Sequence, residues 1–87
     1  MSEPINEKIT VLSVYDRMNG RVMPRKMRWQ GRMYRLTKLA YYHKIRQGRT
    51  VIHVFHVTDG TMDFRLSCNS ENLHWTLEEV SDGSPTQ

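Results

Sequence analysis

Between residues 50 and 80, apolar and polar positions alternate in short runs, interrupted by clusters of Asp, Gly, Asn and Ser. Period-two alternation with β-branched and aromatic residues predicts strands. Asp59-Gly60 separates two such runs and predicts a two-residue type I′ hairpin. With that loop Val57 faces Met62, Phe55 faces Phe64, His53 faces Leu66 and Val51 faces Cys68, all on one side, the expected core. The other side pairs His56 with Asp63, a candidate cross-strand ion pair, Val54 with Arg65 and Ile52 with Ser67. After the polar residues 69–72, Leu73, Trp75 and Leu77 alternate with His74, Thr76 and Glu78, predicting a third strand with its apolar side inward.

The front half is less regular. Residues 9–15 (ITVLSVY) are β-prone, and Asn19-Gly20 marks a hairpin or tight loop. Pro24 cannot donate to a ladder, so its strand should begin there or run along an edge. Within residues 32–47, Met33, Leu36, Ala40 and His43 sit at helical spacing, with Gly48 as a helix stop. Tyr34, Leu36 and Ala40 also fit an alternating face, and Gly31 and Gly48 bracket the segment as turns would; a long strand is the favoured outcome. The chain is therefore expected to be all-β, a small antiparallel sheet or open barrel of five to six strands. Its expected core is Val51, Phe55, Val57, Met62, Phe64, Leu66, Leu73, Trp75 and Leu77, with Leu36 and part of residues 9–14. The polar ends, residues 1–6 and 81–87, are expected to be disordered around a single domain of residues 7–80.

With 87 residues the core is small. A domain of this size buries only roughly 60% of its unfolded surface, which keeps a homodimer open beside the monomer. One cysteine, Cys68, excludes an internal disulfide. No apolar run approaches the roughly 20 residues of a membrane-spanning helix. The acidic start (MSEPINEKI) lacks the layout of a secretory signal, and a cytoplasmic location is expected.

Charge changes the picture most. Residues 17–49 hold eleven Lys or Arg and no acid, while the rest of the chain sets nine acids against Lys8 and Arg65, so +11 and −7 give the net +4. Such polarity concentrates polyanions, and nucleic acid, DNA or RNA, is the first partner it suits. Arg25, Lys26, Arg28, Arg32, Arg35 and Lys38 are the expected phosphate contacts, with Tyr41 and Tyr42 as stacking groups. A cationic groove with aromatic platforms is how single strands are held. Trp29 and Tyr34 read first as core residues, since large aromatics usually supply burial. The alternative is an acidic protein partner or a second copy, met through the same cations and through strand edges. Either way the acidic stretch from Glu71 to Asp82 could instead fold over the cations and neutralise them.

Metal and catalytic chemistry find little support. His53, His56, Cys68 and His74 lack the paired spacing of a zinc site. No glycine-rich phosphate loop occurs, and the carboxylates Asp63, Glu71, Glu78 and Glu79 form no acid and base pair. No cofactor, no metal and no enzymatic activity are expected.

Residues 28–36 (RWQGRMYRL), then Phe55-His56-Val57-Thr58-Asp59-Gly60, Phe64-Arg65-Leu66 and Trp75-Thr76-Leu77 resemble a small bacterial family without an assigned function. The similarity spans roughly residues 24–80 and lies in a W-x-G-R-x-Y-R opening, the turn and a late W-x-L. Some members are associated with genes for mutagenic translesion polymerases. The resemblance implies an all-β domain in bacteria and a DNA-maintenance setting; it supplies no catalytic residues.

Overall fold

A computed structural model describes residues 2–82, and of Ser2 only the backbone. Seven strands form one antiparallel, open, curled sheet with no helix among the described residues: β1 (Ser2–Asp16), β2 (Arg21–Trp29), β3 (Arg32–Arg35), β4 (Lys38–Gln47), β5 (Thr50–Thr58), β6 (Asp63–Asn69) and β7 (Trp75–Ser81). The spatial order is β3-β2-β1-β7-β6-β5-β4, so the all-β expectation holds but the count is seven, not five to six. The extra strand comes from residues 32–47, which are extended throughout but break at Leu36 and Thr37. Every neighbouring pair is antiparallel, and the six steps from β3 to β4 make these two run the same way. They are two halves of one bent strand. At the bend, Leu36 N–H donates to Arg25 O in β2 (2.8 Å) and Thr37 N–H to Thr58 O in β5 (2.9 Å), pinning the two margins of the sheet together at one point.

β1 turns the other corner. Its first half pairs with β7, from Ser2 opposite Ser81 to Ile9 opposite Trp75, and its second half pairs with β2, from Thr10 opposite Arg28 to Asp16 opposite Arg21. Residues 2–6 are therefore strand rather than a disordered end, because β7 supplies their hydrogen bonds. Ser81 likewise closes β7 instead of starting a tail, and residues 83–87 lie outside the described residues.

Curling brings one face of the sheet together as the core of Met27, Leu36, Phe55, Val57, Phe64, Leu66, Cys68, Leu77 and Val80. Full burial of a side chain such as Phe55 or Leu66 contributes roughly 1.5–3 kcal/mol. An aromatic chain bridges the fold: Trp29 lies 6.0 Å from Tyr34, which meets Phe64 edge-on at 5.4 Å. Four expected core members differ, one of them Trp75, which is half-buried against the core. Val51 and Met62 are only half-buried, and Leu73 is exposed at a positive φ of 60°, because the chain is still turning there and β7 starts at Trp75.

The β5–β6 hairpin forms where expected, with a different loop. Thr58 pairs with Asp63, leaving four residues in the turn. Asp59 Oδ1 accepts from the N–H of Thr61 and of Met62, both at 2.8 Å, and the Thr58 hydroxyl donates to Met62 O at 2.8 Å. These bonds stabilise a wider turn than Asp-Gly alone demands. Phe55 consequently faces Leu66, Val57 faces Phe64 and His53 faces Cys68, a slip of two that keeps every side chain on its expected face. His56 now sits opposite Arg65, so the expected ion pair with Asp63 is replaced by a cationic neighbour that disfavours protonation of the imidazole. Arg65 turns to β7, with Glu78 at 3.1 Å and Glu79 at 3.5 Å.

The remaining turns follow the sequence. Gln30 and Gly31, both at positive φ, make the two-residue β2–β3 turn, and residues 17–20 join β1 to β2. Pro24 lies inside β2 where β3 no longer reaches, so its missing N–H faces no partner strand.

Candidate nucleic-acid interface

Alternation along each strand sorts the cations. In β2 and β3, Met27, Trp29 and Tyr34 point into the curl, so Lys26, Arg28 and Arg35 point outward. Across the outer face, Leu12, Lys26 and Arg35 form one cross-strand row and Thr10, Arg28 and Met33 the next. Leu12 (58% exposed) and Met33 (56%) lend apolar surface beside the three cations. Lys26 stands directly opposite Arg35, a like-charge pairing that an isolated sheet would avoid.

The outer face continues past the bend at Leu36 and Thr37. Leu39 packs inward, which turns Lys38 outward, and a bulge at Ala40 resets the phase so that Tyr41 also faces out, opposite His56. Tyr41 is 59% exposed and lies 5.3 Å from the His43 ring and 5.6 Å from that of His56, with His43 and His56 themselves 5.6 Å apart. Burial above all, then the neighbouring His43 and Arg65, holds His56 below its ordinary value, so this three-ring ledge carries a neutral imidazole at neutral pH.

Thus Lys26, Arg28, Arg35, Lys38 and Tyr41 share the outer face, and two of the expected site residues, Arg32 and Tyr42, lie on the inner one, while Arg25 is an exposed bulge residue. Arg32 lies on the inner face with its guanidinium 5.7 Å from the Tyr34 ring. Arg25 is the bulged residue, left unpaired between Lys26 opposite Leu12 and Pro24 opposite Ser13. Tyr42 is turned inward; its hydroxyl is hydrogen-bonded to His53 Nδ1 at 2.6 Å, its ring stacks on that imidazole, and Arg21 covers it at 4.6 Å. Burial pushes its phenol up. A tyrosine so enclosed has no face left for a base. His43 and His56 were not singled out as stacking groups, although Tyr41-x-His43 in a strand places both rings on one side.

Of the acids near the C-terminus, Glu78 and Glu79 engage Arg65 opposite His56, and Glu79 lines a cleft with Tyr41, His56 and Asp63, so carboxylates border the aromatic end of this face; on the N-terminal strand, Glu7 accepts from Trp29 Nε1 at 3.2 Å. Among the described residues no cluster of three or more His, Cys, Asp or Glu could hold a metal ion, and no helix is long and apolar enough to cross a membrane. Cys68 is buried among apolar neighbours, which raises its pKa and keeps it a thiol.

Fold and surface together define a small antiparallel β domain with a basic, partly aromatic outer face. No protein family, curated protein or solved structure matches the chain.

Proposed function

We propose that the protein is a non-enzymatic nucleic-acid-binding module that takes a single strand along its outer face. Phosphates meet Lys26, Arg28, Arg35 and Lys38, and a base stacks on Tyr41 beside His43 and His56. The observation that carries this is the row formed by Lys26 and Arg35, with no salt bridge to an acid among the described residues, continued through Lys38 to an exposed tyrosine. A pair of cations held face to face costs the free protein stability, and a bound phosphate removes that cost. Four phosphate contacts give a slope of log affinity against log salt of about −3 for a single strand. Fluorescence anisotropy with a labelled oligonucleotide reads that slope. No association at about 50 mM salt, or association indifferent to salt, overturns the proposal. The resemblance to a family linked with translesion polymerase genes accords with a DNA-maintenance role in the bacterial cytoplasm.

A second function is favoured by one feature. β4 pairs only with β5, so its other edge, flanked by Lys38, Lys44 and Arg46, is open to an extended acidic segment of a protein partner or of a second copy. Light scattering with and without oligonucleotide separates the two: a dimer that ignores nucleic acid supports the edge, and a monomer that shifts supports the face.

A further inference from the structure

At one end of the curl, between the turn at residues 17–20 and the start of β7, lies a cavity of about 330 Å³. Its floor is Phe55, Cys68 and Trp75, with the Phe55 and Trp75 rings 5.4 Å apart. Its rim is apolar and open: Tyr15 is 66% exposed, Leu73 is 69% exposed, and Val22 completes the wall. A small domain leaves such residues in water at a cost unless something covers them.

The polar side of this mouth is cationic. Arg21 lies over the Tyr42 ring, and its Nε is shut off from solvent without a hydrogen-bond partner among the described residues. A buried, unpaired donor on a charged group is expensive. Lys44 stands opposite His53, which is neutral because burial, and then the Lys44 charge, hold its pKa down. No carboxylate lines the cavity. Asp16, directly opposite Arg21 in the ladder and within reach of its charge, spends its hydrogen bonds on its own turn, accepting from Met18 N–H at 3.0 Å and Asn19 Nδ2 at 2.5 Å, and does not line the cavity.

We propose that this mouth is a binding site for a small planar aryl carboxylate, its ring against Trp75 and beneath Tyr15, its carboxylate accepting from the terminal N–H groups of the Arg21 guanidinium. The ring covers the exposed rim, and the anion meets a guanidinium in a cavity lined by no carboxylate. A neutral aromatic ligand does only the first. The volume falls at the small end of the roughly 300–1,000 Å³ typical of ligand pockets, which sets the occupant at one or two rings. The site lies inside the curl, separate from the outer cations, and stands independently of the nucleic-acid proposal.

The test compares 2-naphthoate with its neutral analogue 2-naphthylmethanol, by calorimetry and by backbone and indole NMR shifts. Naphthoate should shift Gly20, Val22, Ser70 and the Trp75 indole saturably and bind at least about tenfold tighter than the alcohol. Arg21→Gln should bring the two affinities together with the alcohol's unchanged. Leu73→Ser, on the exposed rim where folding does not depend on it, should weaken both ligands several-fold. Equal affinity for acid and alcohol in the native protein, a preference that survives Arg21→Gln, no effect of Leu73→Ser, or shifts confined to the outer face of β2 and β3 would each overturn the proposal.

Discussion

Lys26→Glu should make the protein more stable and a worse binder of oligonucleotides at the same time. Position 26 lies directly opposite Arg35 on an outer face flanked by Leu12 and Arg28. Directly opposed like charges destabilise a sheet and opposite charges stabilise it, each by roughly 0.2–1 kcal/mol. Both side chains are at least partly solvated, so the low half of that range applies and the two changes sum to about 1 kcal/mol at low salt. For a domain of this size 1 kcal/mol moves Tm by about 4–8 °C. In roughly 1 M salt the screening length shrinks to about 3 Å, and most of the gain should vanish. Binding should lose one of four phosphate contacts, taking the salt slope from about −3 to about −2 and affinity at low salt down by tenfold or more. Thermal melts at low and high salt and anisotropy titrations read all three quantities. A lower Tm, or a gain that ignores salt, would mean that the two cations do not face each other. Unchanged oligonucleotide affinity would remove that row from the binding surface.

Four further outcomes follow from particular groups. Tyr41→Ala should weaken single-strand binding by about 1–2 kcal/mol with little change in Tm, whereas Tyr42→Phe should leave binding intact and cost about 1 kcal/mol of stability through the lost bond to His53; anisotropy and urea titration distinguish them. His53 and His56 both titrate below 6.5 in the folded state, so the unfolded chain binds more protons as pH falls; stability should be full above about 7 and drop as pH passes down through 6.5 toward the folded values, and a urea midpoint equal at pH 7.5 and pH 5 would contradict this. Gly31→Ala meets no neighbouring atom but forces an L-residue to a φ of +74°, and should cost about 1 kcal/mol, read as a fall in Tm. Arg32→Ala, on the inner face, should change the salt slope little, where Arg35→Ala lowers its magnitude by about 0.7.

Much of the sheet was legible because alternation survives small errors. The slip of two in the β5–β6 hairpin left Phe55, Val57, Phe64, Leu66 and Cys68 inside, since side-chain direction depends only on whether a shift is even. Odd shifts were not legible. The bulges at Arg25, Ala40 and Glu78 each add one residue and invert the phase beyond it, which is how Val80 becomes core beside Leu77 although both flank an acidic pair. No glycine marks those three positions, so composition carried no warning. The bend at Leu36 is hidden for a related reason: extended residues on both sides look continuous, and only hydrogen bonds to two different strands reveal the break. The candidate site was half legible. Adjacent tyrosines in a strand must face opposite ways, so Tyr41 and Tyr42 could never both serve one surface, while their division between inside and outside depended on the Ala40 bulge.

The pairing of Ser2 with Ser81 sets the order in which this chain can mature. β1 and β7 occupy the middle of the sheet, so residues 75–81 must leave the ribosome before the central ladder can zip, and until then the facing edges of β1 and β6 are bare backbone. Closure of the sheet thereby waits for its last strand. The same proximity makes the molecule suited to circular permutation: a short tether joining residue 81 to residue 2, with new termini cut at the exposed turn of Gly48, converts the slowest closure into a local hairpin and should speed refolding without altering the architecture.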